Sequence, residues 1–168
     1  VGAALGYQTE ADEALRADLE FAKSLGWNMI RKHVKVEPER WYYWADRLGL
    51  LVWQDMPSGG NKTPEARRQF EHELARLVET HHNHPSIIMW VVFNEGWGQQ
   101  DMAWAKSVAE SVKKQDPTRL VNNATGWTDM GVGDTRDIHN YPEPAMVPIE
   151  RDDKGLLWGG RAAVLGEF

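Results

Sequence analysis

Apolar positions along the chain fall into two alternating rhythms, one at helical spacing and one of short continuous runs. Leu15, Leu19, Ala22 and Leu25 recur at helical intervals behind Thr9, Glu10, Ala11 and Asp12, which have the form of a helix start, and Gly26 ends the segment. Residues 27–30 are apolar and predict a strand that delivers Arg31, Lys32 and His33 at its carboxyl end. Pro38 suits a first helical position, Trp41, Trp44, Ala45 and Leu48 make one helix face, and Gly49 closes it. Residues 50–53 predict a second strand, ending in Gln54 and Asp55. Thr63 and Pro64 open a longer helix with Phe70, Leu74, Leu77 and Val78 on its core face. After His84 and Pro85 comes IIMWVVF at residues 87–93, an uncharged run that reads as a strand buried on both faces and ends in Asn94 and Glu95. Met102, Ala105, Ala109 and Val112 mark a further helix, stopped by Asp116 and Pro117. Weaker strands are expected at 120–122 and 137–141, the latter ended by Pro142. Residues 142–160 read as irregular, and a final strand at 162–167 again carries a glutamate at its end.

Helices alternating with short apolar strands imply parallel pairing and right-handed crossovers. A doubly wound sheet and a (β/α) barrel both satisfy that order. Polar residues stand at nearly every strand's carboxyl end: Arg31, Asp55, Glu95, Asn122, Tyr141 and Glu167. They favour the barrel, in which those ends converge on one site. Six strands are legible, so an eight-stranded barrel would be short by two. A carboxylate at Glu95 would sit at the rim of the core, where Trp90 and Trp97 are expected to raise its pKa toward what a general acid needs.

Composition narrows the function. With 168 residues the chain is long enough for one domain, taken as residues 1–168. A net charge of −6 argues against nucleic acid or an anionic membrane as partner. The absence of cysteine excludes disulfides, thiolate metal sites and a cysteine nucleophile, and leaves the compartment open. No apolar run approaches the roughly 18 residues of a membrane span, and no signal segment is visible. Nine tryptophans are a heavy load, and aromatic faces stack on sugar rings as readily as they fill cores. Beginning at Val1 and stopping just after an apolar run, the sequence looks like a piece of something longer.

Other chemistries find less support. His81, His82 and His84 lack H-E-x-x-H spacing and do not face one metal from a helix end. Residues 59–62 are not a phosphate loop, and G-x-S-x-G is missing.

Four stretches together carry a resemblance: residues 25–57, then HNHPSIIMWVVFNEGWG, then HNYP, then VLGEF. They resemble the catalytic TIM barrel of glycoside hydrolase family 2, the family of β-galactosidases, β-glucuronidases and β-mannosidases, over roughly residues 10–168. The resemblance implies an incomplete (β/α)8 barrel containing about strands 2–7, with the first and eighth missing or unrecognisable. It implies a retaining β-glycosidase in which Glu95 is general acid/base and Glu167 is nucleophile. Asn94 would bond the sugar's 2-hydroxyl, Arg31 would keep the nucleophile ionised, and Tyr141 would donate to it. His33 and His139 would line the subsite, Asp55 would bind a sugar hydroxyl or a neighbouring arginine, and Trp97, Trp127 and Trp158 are candidates for the sugar platform. The implied partners are an oligosaccharide or β-glycoside substrate and flanking β-sandwich domains. Some members bind Mg²⁺ or Na⁺ near the site, but no carboxylate cluster here demands an ion, so no cofactor and no metal are expected. The rival reading is a carbohydrate-binding or structural remnant without turnover, because an open barrel leaves unpaired strand edges.

Overall fold

The computed structural model describes residues 2–141, 147 and 149–167, with side chains from residue 11 onward. Its elements are α1 (Gly2–Ser24), β1 (Met29–Lys32), α2 (Glu39–Leu48), β2 (Leu51–Asp55), α3 (Pro64–His81), β3 (Ile87–Asn94), α4 (Met102–Gln115), β4 (Leu120–Thr125), β5 (Thr135–His139), a 3-10 turn (Trp158–Gly160) and β6 (Ala162–Glu167). Strands β1 to β4 form a parallel sheet in chain order, and β5 and β6 pair parallel in a second, two-stranded sheet. This is the alternating part-barrel expected from the sequence, with one unforeseen break between β4 and β5. An isolated antiparallel bridge, Asn122 to Gly133, spans that break.

Local sequence explains the element ends. Thr63 Oγ1 accepts from Ala66 N behind Pro64, so α3 starts where a cap and a first-turn proline coincide. Asp101 caps α4 through Trp104 N and also pairs with Arg67 at 2.6 Å, tying α4 to α3. Gly49 closes α2 in the left-handed region, at φ 68°. Three expected boundaries move. Helix α1 runs from Gly2, so Thr9 lies inside it, because nothing in residues 2–8 breaks a helix. Strand β1 lies two residues later than its apolar run, and β2 extends through Gln54 and Asp55. The polar residues expected beyond these strands are therefore inside them, fixed by ladder pairing rather than hanging from loops. Strand β5 covers 135–139 and leaves Tyr141 beyond its end; Pro142, expected to end it, is outside the described residues.

Two apolar layers position the site. The larger lies between the sheet and its helices, where Trp90, Val92 and Phe93 of β3 meet Phe70 and Leu74 of α3 and Ala105 and Val108 of α4. Phe70 and Phe93 stack with centroids 5.1 Å apart. The smaller fills the concave face with Trp53, Met89 and Val91, against Ile88 and Val164. Alternation along β3 thus sends Trp90 to the helices and Met89 and Val91 to the barrel interior.

Trp90 buries its indole N–H and satisfies it on Asp116 Oδ2 at 2.9 Å. Asp116 also accepts from Thr118 and from Arg119, whose guanidinium reaches the carbonyls of His82, His84 and Ile87. Burial pushes the Asp116 carboxyl up, but its hydrogen bonds from Thr118, Trp90 and Arg119 win and bring it to about 2. A depressed carboxylate contributes stability above its unfolded pKa and loses it as pH falls toward the folded value. The melting temperature should therefore drop between about pH 4 and pH 2 more steeply in the wild type than in Asp116→Ala. That variant should lose about 1–3 kcal/mol in urea unfolding at neutral pH, because the Trp90 N–H is stranded in the core.

Candidate active site

The carboxyl ends of β1, β2, β3, β4 and β6 are drawn together by one side chain. Arg31 leaves β1 with only a tenth of its side chain exposed and donates in five directions. Its Nε and Nη2 hold Asp55 at the end of β2, at 3.1 and 2.8 Å. Nη2 also reaches Asn94 Oδ1 on β3 at 2.9 Å and Thr125 Oγ1 on β4 at 2.8 Å. Nη1 donates to Glu167 Oε1 on β6 at 2.9 Å and approaches Gly166 O at 3.5 Å. Thr125 in turn donates to Asn94 Oδ1, so the Asn94 amide is oriented from two sides. Asp55 is 1% exposed and accepts as well from Val34 N. Both of its oxygens accept from the guanidinium, which makes it the arginine's partner.

Glu95 and Glu167 face each other across the rim. Tyr141 bridges them, its hydroxyl 3.0 Å from Glu95 Oε1 and 2.9 Å from Glu167 Oε2. His139 Nδ1 lies 2.9 Å from Glu95 Oε1 and 3.5 Å from Glu167 Oε2, with its side chain fully buried. Trp127 Nε1 donates to Glu95 Oε1 at 2.7 Å while 62% of the residue stays exposed. His33 lies beside Arg31, Nδ1 being 3.1 Å from Nη2, and 6.2 Å from the ring of Trp97, itself 47% exposed. Gly126 must be glycine: its φ is +86° and a Cβ there would meet His139 Nδ1 at 2.7 Å.

Backbone strain gathers at the same rim. Glu95 sits at φ 49° and Val34 at φ 46°, a conformation costing about 1–3 kcal/mol for a residue with a Cβ. At Glu95 the turn is held by its N–H on Thr125 O at 2.7 Å.

Electrostatics at Glu95 run opposite to expectation. Burial raises its pKa, but the hydrogen bonds from His139, Trp127 and Tyr141 outweigh burial and hold the carboxyl below its ordinary value. The tryptophans named to raise it do not enclose it: Trp90 points into the helix layer and Trp97 is half exposed. Trp158 is also placed differently. It stands on the turn preceding β6, at the strand's amino end, while Glu167 is at the carboxyl end, about 20 Å of extended chain away.

Two contributors escaped the sequence reading. Thr125 lies past residue 122, where the weak fourth strand was expected to stop. Asp137 is 2% exposed, accepts from Asn122 Nδ2 at 2.6 Å and Gly166 N at 3.1 Å, and is pushed by burial up to about 6 despite those bonds. The signal for it was present: Asp137, His139 and Tyr141 alternate, so a strand would carry them on one face.

Among the described residues, Glu95, His139 and Glu167 offer atoms within 4.8 Å of one another and could hold a cation. Arg31, Trp127 and Tyr141 already donate to those carboxylates, so an ion would have to displace them. His81, His82 and His84 do not face one point together: His81 and His84 both approach Glu39, at 3.7 and 3.0 Å, while His82 turns to the carbonyl of Glu79.

Residues 6–139 match the family model for the TIM barrel domain of glycosyl hydrolases family 2. The chain belongs to that family. A β-glucuronidase of Bacteroides fragilis is 27% identical over 134 residues, 70% of this chain and 19% of the relative. A β-galactosidase of Aeromonas hydrophila is 33% identical over 153 residues, 79% of this chain and 14% of the relative. The crystal structure of a Parabacteroides merdae β-glucuronidase superposes with a TM-score of 0.70 at 25% identity, over 77% of this chain and 18% of that one. The chain thus spans less than a fifth of each of these family 2 proteins. No described helix is long and apolar enough to cross a membrane.

Arg31 anchors this family 2 rim, which gives a direct test. Arg31→Ala leaves the Asp55 carboxylate buried without its cation, so urea unfolding should show a loss of about 3–5 kcal/mol. Arg31→Lys keeps the charge without the planar fork and should lose less.

Proposed function

We propose that this family 2 barrel segment carries the catalytic centre of a retaining β-glycosidase, with Glu167 as nucleophile and Glu95 as general acid/base. The observation that carries this reading is the pair of carboxylates on one rim, with atoms within 4.8 Å and a shared tyrosine hydroxyl between them. Retaining glycosidases hold their two carboxyl groups about 5–5.5 Å apart, whereas inverting ones leave room for a water.

In the first step a Glu167 oxygen attacks the anomeric carbon while the bond to the leaving oxygen breaks and Glu95 gives that oxygen its proton. In the second, Glu95 as carboxylate takes a proton from water, the water oxygen bonds to the anomeric carbon, and the bond to Glu167 breaks. Arg31 and Tyr141 hold the two oxygens of Glu167, which aims the carboxylate and stabilises it when it leaves. Asn94, whose Oδ1 is occupied by Arg31 and Thr125, presents its Nδ2 to a sugar hydroxyl. Trp127 and Trp97 supply the exposed aromatic faces for the sugar ring, His33 flanks it, and His139, buried, backs Glu95. A sugar ring entering between the carboxylates expels water and draws the Tyr141 hydroxyl away from Glu95, and both changes favour the protonated acid. Flanking domains, β-sandwiches by family resemblance, would occupy the remainder of a longer protein.

The deciding experiment is incubation with 2-deoxy-2-fluoro β-glycosides of gluco, galacto, manno and glucurono configuration, followed by intact mass and peptide mapping. A single adduct on Glu167 is the expected result. An adduct on another residue overturns the roles, and a folded protein that takes none favours a carbohydrate-binding remnant. The acid assignment has its own check. Trp127→Phe removes a donor that lowers the Glu95 pKa, so the alkaline limb of the kcat/KM profile should move to higher pH.

A further inference from the structure

The pairing of β5 with β6 is regular from Thr135 with Ala162 to Ile138 with Leu165, and then it slips. His139 pairs with Glu167 rather than Gly166, so β6 carries one extra residue at Gly166. Such a bulge matters because side chains alternate along a strand. Without the extra residue Gly166 would stand opposite His139, and the carboxylate of Glu167 would point to the other face. The bulge also deprives Gly166 N of its ladder partner. Asp137 supplies the substitute: its Oδ1 accepts from Gly166 N at 3.1 Å, while its Oδ2 accepts from Asn122 Nδ2 at 2.6 Å on β4.

Position 166 bears the mark of this contact. Gly166 does not occupy the left-handed region, so its backbone conformation does not require glycine. Space does: a Cβ there would meet Asp137 Oδ1 at 2.3 Å and Oδ2 at 2.6 Å. The second bond is equally pointed. Glu95 belongs to the four-stranded sheet and Glu167 to the two-stranded one, and no regular ladder joins the two among the described residues. Near the amino end of β5 the sheets are tied by Asp134 on the backbone of Val121. Closer to the rim Asn122 is tied to Asp137, beside the contacts of Arg31 with Glu167 and of His139 with Glu95.

We propose that Asp137 is a positioning residue: by accepting from Gly166 N and from Asn122 it holds the β6 bulge that turns Glu167 toward Glu95, and it sets the spacing between the two sheets. Resting on the assignment of Glu167 as nucleophile, this adds a residue that never touches the sugar and acts through the backbone of its neighbour. Asparagine can replace it in geometry. In Asp137→Asn the new amide oxygen still accepts from Gly166 N, and the amide nitrogen meets Asn122 once the Asn122 amide turns over, because Asn122 Oδ1 is buried with no partner. Alanine supplies neither acceptor.

The test compares Asp137→Ala and Asp137→Asn with wild type in the whole protein, using an aryl β-glycoside taken from the labelling panel. Displacing a reacting group by an ångström costs about 100-fold in rate. Asp137→Ala should therefore lose about that factor in kcat with KM changed by less than about threefold, and its rate of labelling by the 2-fluoro glycoside should fall in parallel. Asp137→Asn should stay within about tenfold of wild type in both. The proposal is overturned if Asp137→Ala keeps wild-type kcat, if its loss lies in KM, or if Asp137→Asn is as impaired as a folded Asp137→Ala. Should Asp137→Ala not fold, Asp137→Asn decides alone, together with a crystal structure in which Glu167 must still face Tyr141. A wild type labelled on a residue other than Glu167 overturns the underlying assignment instead, and that outcome is read before any variant is made.

Discussion

Arg31 is the constraint on which the rim of this barrel depends. A parallel barrel brings polar side chains together at its carboxyl ends, but strand pairing alone does not fix how they face one another. One planar guanidinium does so here, holding Asp55, Asn94, Thr125 and Glu167 from four other strands. A lysine has the charge without the fixed fork, and could not orient several acceptors at once. Burying such a cation is costly unless it is fully paired, and Asp55, 1% exposed, is the group that meets that cost. The rim is therefore a closed network in which Asp55 supports Arg31, and Arg31 in turn orients Asn94 and Glu167.

Around that network the strain is distributed unevenly. Val34 and Glu95 hold left-handed backbone at the ends of β1 and β3, while Gly126 and Gly166 give up side chains so that His139 and Asp137 have room. Hydrogen bonds then decide the ionisation of Glu95 against burial, since three donors converge on one oxygen.

Much of this was legible in the sequence because it rests on local pattern. The run at 87–93, the caps at Thr63 and Gly49 and the glutamates closing two strands are each set by neighbours in the chain, and they lie where expected. Where pairing overrides propensity the reading slipped. Strand β1 lies beyond its apolar run because its ladder with β2 aligns Arg31 with Trp53, and that alignment is a property of two strands rather than one. The pKa of Glu95 was misjudged for a similar reason: its donors come from residues 127, 139 and 141, whose approach no spacing reveals. Trp158 was grouped with the rim alongside the family resemblance, and the direction of β6 puts it at the other end. The alternation of Asp137 with His139 and Tyr141 was legible, but its bond to a backbone N–H freed by a bulge was not, because a bulge leaves no trace in an alternating pattern.

The left-handed backbone at Glu95 has an evolutionary consequence. Glycine is the residue that conformation prefers, and a drift from glutamate to glycine would relieve strain but give up the three hydrogen bonds that the carboxylate accepts. Backbone strain and hydrogen bonding therefore pull this position in opposite directions. The side chain at this position thus holds its own backbone in a conformation that its hydrogen-bond partners, and not its local sequence, sustain.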